Sequence, residues 1–236
     1  TTQPIFDTQA KFLAEQLSKL QADDLSNLMG ISSNIAELNA ERFKNWDSIS
    51  IPEKRAIFQF QGDVFKHLNA RDFSQDDENY MNDKLRILSG MYGVLKPSDK
   101  MNPYRLEMGT RYSFGTAKNL YEFWGDRVTD TLNEDLASAN TEVLINLASN
   151  EYFKAVKPKG LNADVITPQF KDLKNGQYKM ISFFAKKARG VMARYIIDNR
   201  VTDPEALKAF NGSGYYFSEE HSKGPQWVFL RDEAPA

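Results

Sequence analysis

Hydrophobic residues near the start of the chain repeat at the spacing of an α-helix. Leu13, Leu17 and Leu20 recur every three or four residues, so they share one helix face and predict a helix over residues 8–21. A similar pattern after Ser32 or Ser33 predicts a second helix. We therefore expect the first third of the chain to be helical, with its apolar side facing a core.

Polar residues indicate where two further helices begin. Ser74 and Asp77 have the spacing of a capping box, in which each side chain satisfies a backbone N–H, and they predict a helix over residues 75–89. Ser50 and Pro52 indicate another helix start. Because the helix dipole favours acidic residues in the first turn, we interpret the acids after Ser74 as part of a helix start and not as metal ligands.

The spacing changes to that of β-strands in the second half of the chain. Residues 143–148 form a short apolar run that predicts a buried strand. Residues 164–172 and 177–185 flank the dipeptide Asn175-Gly176, a strong hairpin signal because both turn positions require a positive φ. A long β-hairpin is therefore expected.

The last part of the chain predicts two more helices and a strand pair. A helix is expected over residues 186–199, a short one after Asp203, and strands over residues 214–218 and 226–232. No linker rich in Pro, Gly or Ser divides the sequence. We therefore predict an α+β (mixed α/β) fold in a single domain over residues 1–236, with a helical N-terminal third and a mixed sheet that contains the long hairpin.

Composition excludes several classes of protein. Hydrophobic residues make up 41% of the 236 residues and aromatic residues 12%, which is enough apolar area for a core and excludes a disordered chain. The longest run without a charged residue has 12 residues, shorter than a membrane span needs, so we expect no membrane association. The chain has no cysteine, and its first residues resemble no signal peptide. We expect a cytoplasmic monomer.

Charge is unevenly distributed along the chain. Residues 84–111 and 179–200 together hold 12 basic and 3 acidic residues, whereas the remainder holds 18 basic and 29 acidic ones. Such segregation suits a protein that attracts an anion to one surface, and we predict that both segments border one basic cleft. The alternative is that each segment is an ordinary solvated face.

The second basic segment carries the most informative motif. On a helix, Lys187 and Arg194 share one face, and Lys186 and Arg189 pair beside it. Such a helix can neutralise successive phosphates of a DNA duplex, or a pair of its cations can bind one small anion. Gly190 lowers helix propensity in mid-helix, which indicates either a ligand close to the backbone or close helix packing.

The first basic segment contains a Gly-x-x-Gly motif. Gly90 and Gly93, with Arg86 before them and Lys96 after them, can form a tight turn whose backbone N–H groups face outward and bind a phosphate. The structural alternative is a left-handed helix cap followed by a turn.

Other polar residues are candidates for a ligand site. Tyr104, Arg105 and Glu107 alternate with apolar residues, so Arg105 and Glu107 are expected on one strand face, as a structural ion pair or as part of a polar site. Asn146 and Ser149 follow the predicted strand, and Ser149 also suits the cap of a short helix. We predict no metal ligands and no cofactor: a transition-metal site is disfavoured because cysteine is absent and the two histidines lie far apart in the sequence, whereas the sequence leaves open a site made only of carboxylates.

Five longer runs of sequence are distinctive. They are LRILSGMYGVLKP, NPYRLEMG, LYEFWGD, VLINLASNEYFKAVKP and SFFAKKARGVMARYIIDNR. In their residues and in their order these runs resemble the YaaA peroxide-stress family, and the resemblance extends over nearly the whole chain. That family opens with a strand and an Ile-Ser-Pro-Ala-Lys motif, which is not found at the start of this sequence. The resemblance therefore implies that residues 1–236 lack an N-terminal strand.

The resemblance also implies a function. It implies a cytoplasmic protein of the hydrogen peroxide response that lowers free iron, limits oxidative damage and binds double-stranded DNA through a basic cleft with a helix-hairpin-helix element. By position, Arg86, Gly90, Gly93 and Lys96 belong to the hairpin region. Lys186, Lys187, Arg189 and Arg194 belong to the cleft, and we add Arg105 to the expected DNA-binding residues.

An enzyme is the main alternative to a DNA-binding protein. Lys, Arg, Glu, Tyr and Asn side chains in one cleft also suit electrostatic catalysis on a small anionic substrate. A protein-interaction module that affects iron through its partners is the third hypothesis. The slightly acidic net charge, −2, favours the alternatives to a small degree, because dedicated DNA-binding domains are usually basic.

Overall fold

A computed structural model describes residues 1–48 and 53–233. In chain order, the α-helices are α1 (Asp7–Ser18), α2 (Ala22–Met29), α3 (Ser33–Lys44), α4 (Ala56–Gln59), α5 (Asp63–Leu68), α6 (Gln75–Lys84), α7 (Leu120–Trp124), α8 (Arg127–Ser138), α9 (Asn150–Phe153) and α10 (Ser182–Asp198). The strands are β1 (Lys54–Arg55), β2 (Ile87–Ser89), β3 (Gly93–Leu95), β4 (Lys100–Met101), β5 (Val143–Ile145), β6 (Asp164–Lys174), β7 (Gln177–Lys179), β8 (Tyr216–Lys223) and β9 (Gln226–Arg231). The predicted α+β class is confirmed. Ser50 and Pro52, where we expected a helix start, lie outside the described residues.

Contacts divide the chain into two compact units. Unit 1 comprises Thr1–Gln59, Leu85–Leu132 and Ser149–Gly160. Unit 2 comprises Phe60–Lys84, Asn133–Ala148 and the chain from Leu161 onwards. Each unit is assembled from three separate stretches of sequence, so no single linker divides them. The assignment of residues 1–236 to a single domain stays a prediction.

The helix predicted over residues 8–21 is α1, which ends at Ser18, so Leu20 lies beyond it. Leu13 and Leu17 are fully buried on α1, which packs against α3. The helix predicted after Ser32 or Ser33 is α3, and Ser32 is its N-cap residue. The apolar stripe of α1 is therefore the part of this helix that enters the core, as expected for a surface helix.

The helix predicted over residues 75–89 is correct only as far as Lys84, where α6 ends. Residues 87–89 instead form β2, which pairs with β3 in an antiparallel hairpin. Ile87 and Ser89 are buried and Leu88 is less so, which is the alternation of a strand and not of a helix. The hairpin turn thus replaces the predicted helix end.

Unit 2 is built on a five-stranded mixed sheet, as predicted. Its strand order is β5-β6-β9-β8, and β7 pairs with the end of β6. Strand β6 is parallel to β5 and to β9, whereas β8 and β9 are antiparallel. The Asn175-Gly176 turn is confirmed, with φ of 54° and 74°.

The second strand of the predicted hairpin is much shorter than expected. Strand β7 ends at Lys179, and α10 begins at Ser182 within the range that we assigned to the strand. Ala185, Ala188 and Met192 have helical spacing and are buried against the sheet. Residues 182–185 therefore join the helix despite their local preference for strand. The burial of the apolar helix face in the core outweighs that preference.

Aromatic rings fill the core of unit 2 between the sheet and α10. Phe170 lies 5.6 Å from Phe229 and 6.1 Å from Phe210, measured between ring centroids. These three rings are almost completely buried. The core therefore holds α10 firmly on the sheet and fixes which of its residues face outward. Among the described residues, no helix is both long enough and apolar enough to cross a membrane.

Candidate functional site

Three basic residues in the first half of α10 have no acidic partner among the described residues. Lys186 is exposed, and Lys187 places its Nζ atom 4.0 Å from the ring centroid of Phe183. Arg189 is partly buried, and this burial lowers the pKa of its guanidinium. Within residues 1–48 and 53–233, none of the three forms an ion pair. Their charge therefore remains available for an anion.

Arg194, the fourth predicted cation of this helix, is occupied within unit 2. Its Nε donates to Asp198 at 2.9 Å, and its Nη1 donates to the carbonyl oxygen of Asn69 at 2.9 Å. The guanidinium also lies 4.4 Å from the ring centroid of Phe73. Because Asn69 is the residue that follows α5, Arg194 satisfies carbonyl groups at the end of that helix. It is not a free cation like its neighbours.

Helix packing explains Gly190. A Cβ atom at this position would lie 2.2 Å from the carbonyl oxygen of Val64 and 2.9 Å from Cβ of His67. Both residues belong to α5, which crosses α10 at this point. Of the two explanations that the sequence left open, close packing of helices is the one observed.

The Gly-x-x-Gly motif is buried in the β2–β3 hairpin. A Cβ atom at Gly90 would lie 2.4 Å from the carbonyl oxygen of Leu106. Gly93 has a φ of 68°, and a Cβ atom there would lie 2.9 Å from the ring of Trp124. The expectation of outward-facing N–H groups at this turn is wrong, because residues 90–93 are all buried.

The basic residues on either side of the hairpin are more accessible. Arg86 is partly exposed, and its Nη1 donates to the carbonyl oxygen of Leu85 at 2.8 Å. Lys96 is exposed. Gly90 follows β2 and Gly93 begins β3. A DNA contact by Arg86, Gly90, Gly93 or Lys96 stays a prediction.

Unit 1 brings together a cluster of phenols and charges that we call the Tyr–Glu cluster: Ser89, Tyr104, Arg105, Glu107 and Tyr152. The Tyr152 hydroxyl donates to Oε2 of Glu107 at 2.6 Å, and Nη2 of Arg105 lies 3.4 Å from Oε1 of the same carboxylate. The hydroxyl groups of Tyr104 and Ser89 lie 2.5 Å apart. The predicted ion pair of Arg105 and Glu107 is confirmed, although its segment is a loop and not a strand.

Burial keeps both phenols of this cluster protonated. Desolvation raises the pKa of Tyr152 far above its ordinary value, and the nearby carboxylate of Glu107 raises it further. Desolvation also raises the pKa of Tyr104. The charged pair of Arg105 and Glu107 is by contrast about half exposed. The cluster therefore combines two half-exposed charges of opposite sign with two neutral phenols that can donate hydrogen bonds.

Helix α9 supplies Tyr152 and a second contact to the same loop. Ser149 is the N-cap residue of α9, and its Oγ accepts from the backbone N–H of Tyr152 at 3.4 Å, so the capping interpretation is confirmed. Glu151, the residue before Tyr152, accepts from the N–H of Gly109 at 2.8 Å. The loop is thus attached to α9 at two points.

Asn146 belongs to unit 2, where it has a structural role. Its Nδ2 donates to Thr167 on β6 at 3.3 Å, and its Oδ1 accepts from the N–H of Ala148 at 3.0 Å. The residue is buried at the end of β5. These bonds hold the turn after the strand.

The sequence did not reveal Tyr152, Ser89 or Glu151 as site residues. Their contacts join residues 45, 15 and 42 positions apart, and no local spacing indicates such pairs. A shared cleft formed by residues 84–111 and 179–200 stays a prediction. In the described part of the chain, no group of three or more His, Asp or Glu side chains is placed to hold a metal ion.

Comparison with known proteins assigns the family. A family model described as peroxide stress protein YaaA matches residues 1–221. The chain belongs to this family. It is also 50% identical over 234 residues to a UPF0246 protein of Aliivibrio fischeri strain MJ11, a match that covers 98% of this chain and 90% of the relative. A UPF0246 protein of A. fischeri strain ATCC 700601 / ES114 matches with the same identity and coverage. The resemblance seen in the sequence is therefore confirmed, and the family description is consistent with a response to peroxide stress.

Proposed function

We propose that this protein binds double-stranded DNA without strong sequence preference, through the first half of α10. The observation that carries this proposal is a set of three cations that form no ion pair within the described part of the chain, Lys186, Lys187 and Arg189. Two other cations of unit 2 are neutralised, since Arg200 pairs with Asp77 and Lys208 with Glu205. An unpaired cluster on one helix suits a row of phosphates.

Helix α10 can place positive charges along the DNA backbone, but it has few side chains that could recognise bases. Direct base recognition needs several Arg, Asn or Gln side chains that project from one element into a groove. Of the two arginines in the middle of α10, Arg194 is occupied by Asp198 and by the end of α5. Binding should therefore depend on phosphates and salt, and weakly on sequence.

Fluorescence anisotropy on two unrelated duplexes across a salt series tests this proposal. If α10 neutralises about three phosphates, log affinity should fall with log salt at a slope of about −2.7, equally for both duplexes. Lys187→Ala should reduce the slope by roughly one unit. Lys19→Ala is the matched control, because Lys19 is exposed in unit 1 and paired with Glu15. Equal effects of the two variants, or no binding at physiological salt, would contradict the proposal.

We further propose that the protein acts in the cytoplasm during hydrogen peroxide stress and limits free iron, an effect exerted at DNA or indirectly. The family description supports the link to peroxide. A strain that lacks the gene should survive peroxide poorly and contain more chelatable iron by electron paramagnetic resonance. If DNA binding is the route, the wild-type gene should restore both properties and Lys187→Ala should restore neither. Full restoration by Lys187→Ala would show that the effect on iron does not depend on DNA binding by α10.

A second candidate function is an enzyme that acts on a small anionic substrate. The Tyr–Glu cluster favours it, because a rigid carboxylate beside an arginine and a neutral phenol suits acid–base chemistry on an anion bound by Arg105. Titration with inorganic phosphate, followed by backbone amide NMR, tests this candidate. Shifts confined to the loop of Arg105 and Glu107, and lost in Arg105→Gln, would support it. Shifts confined to α10 would favour the DNA-binding function.

A further inference from the structure

Exposed apolar side chains accompany the unpaired cations of α10. In the described residues of unit 2, four large hydrophobic side chains are exposed: Leu173, Met180, Phe183 and Tyr216. Met180 is 49% exposed and Phe183 is 51% exposed, and they lie on either side of the start of α10. Met180 and Phe183 are only three positions apart, and exposed apolar groups that form a continuous patch usually mark an interaction surface.

Basic residues lie near Met180 and Phe183. Lys179 precedes Met180 and is exposed, and Lys186 follows one helical turn after Phe183. The Nζ atom of Lys187 lies 4.0 Å from the ring centroid of Phe183. No acidic residue occupies the first turn of α10. A ligand that touches the Phe183 ring is therefore placed within reach of a lysine ammonium.

The other part of the surface carries a negative charge. Tyr178 pairs with Leu173 across the hairpin, and its hydroxyl donates to Asp232 at 2.5 Å. The Tyr216 hydroxyl donates to the same carboxylate at 3.1 Å. A phosphate would be repelled by Asp232. The apolar surface that suits an anionic partner is accordingly limited to Met180 and Phe183.

We propose that Phe183 stacks against an unpaired base of a nucleic-acid strand while Lys187 binds a phosphate of the same strand. The inference rests on the DNA-binding function proposed above and adds to it the kind of DNA that this surface favours. Charge selects the partner, because nucleic acid combines flat apolar faces with phosphates at short range. Bases inside a duplex are already stacked on one another, so only unpaired bases are free to stack on the ring of Phe183.

This arrangement gives α10 two separable contributions. The cations act on any DNA, since phosphates are present in paired and unpaired strands alike. The ring of Phe183 contributes only where a base has left the stack. Single-stranded or gapped DNA should therefore bind more tightly than a duplex of equal length, by about tenfold for one stacked base.

Anisotropy with the intact protein on a duplex, a gapped duplex and a single strand of equal length tests the proposal. Phe183→Leu keeps the apolar volume but removes the flat ring, and should abolish the preference for unpaired DNA while duplex affinity stays unchanged. Phe183→Trp should retain the preference. Leu38→Ala is the control, because Leu38 is 45% exposed on α3 of unit 1. Circular dichroism checks that each variant is folded.

A spectroscopic probe distinguishes stacking from charge. A 2-aminopurine placed in the gap should lose fluorescence when wild-type protein binds, and should lose less with Phe183→Leu. Duplex binding without any preference for unpaired DNA would overturn this inference and leave the DNA-binding proposal intact, whereas absence of all binding would overturn both. Loss of binding to anionic lipid vesicles in Phe183→Leu, with all DNA affinities unchanged, would assign the ring to a membrane surface and overturn the inference as well.

Discussion

The hydroxyl group of Tyr152 lies 2.6 Å from Oε2 of Glu107, although the two residues are 45 positions apart in the chain. This bond joins helix α9 to a long loop that lacks regular structure. The same loop is attached at Gly109, whose N–H donates to Glu151 at 2.8 Å. Long loops of this kind are usually functional when they are held rigidly. The bond therefore fixes the orientation of the half-exposed carboxylate of Glu107.

Tyr152→Phe should destabilise the protein by about 1–2 kcal/mol. The substitution removes a hydrogen bond to a charged acceptor but leaves Glu107 partly hydrated, so the loss should lie in the lower range for such bonds. Urea denaturation followed by tryptophan fluorescence measures the difference. Tyr112→Phe is the matched control, because the Tyr112 hydroxyl makes no hydrogen bond to the described residues, and it should change stability by less than about 0.5 kcal/mol. Equal losses in both variants would contradict a specific bond.

Gly190→Ala should destabilise the protein by about 1–3 kcal/mol, even though alanine is the better helix former. The added Cβ would lie 2.2 Å from the carbonyl oxygen of Val64, so α5 and α10 must move apart. Gly62→Ala is the control, because a Cβ there has its nearest neighbour 3.9 Å away, at Phe65. Thermal denaturation should show a large decrease in Tm for Gly190→Ala and a small one for Gly62→Ala. An increase in Tm for Gly190→Ala would show that the helix pair can relax.

Asp172→Asn should cost about 3–5 kcal/mol, since it leaves a buried arginine without its counter-charge. Nε of Arg231 donates to Oδ1 of Asp172 at 2.7 Å, and the Tyr215 hydroxyl donates to Oδ2 at 3.0 Å. Asp172 and Arg231 are both almost completely buried. Chemical denaturation of Asp172→Asn and of Glu205→Gln compares this pair with an exposed one. The exposed pair of Glu205 and Lys208 should contribute less than about 1 kcal/mol.

The pair of Asp77 and Arg200 should make stability depend on acid pH. Hydrogen bonds from Ser74, followed by one from Arg200, lower the pKa of the Asp77 carboxyl. A carboxyl whose pKa is lower in the folded chain stabilises that chain above the unfolded pKa of about 3.9. This stabilisation is lost as the pH falls through the folded pKa. Asp77→Asn should therefore lower the urea midpoint at pH 6 and have a progressively smaller effect below pH 4. A constant difference over this range would exclude the charge as its cause.

Local signals in the sequence determined much of the fold. The stripe of Leu13 and Leu17 and the Asn175-Gly176 turn depend on neighbours within a few residues, so periodicity and turn chemistry were sufficient to predict them. The same is true of the cap that Ser149 provides for α9. The basic character of α10 was also evident, because charge is a property of composition and not of packing.

Tertiary structure alone decided which of these residues are available for function. Arg194 and Lys187 looked equivalent in the sequence, but the end of α5 occupies Arg194 and leaves Lys187 beside an exposed ring. Likewise, Gly90 is packed against Leu106 and does not form the outward-facing turn that the sequence suggested. Tyr152 binds Glu107 although the two residues are 45 positions apart. The physical reason is that burial and pairing of a charge depend on partners remote in sequence, whereas helix and turn propensities depend on the nearest residues.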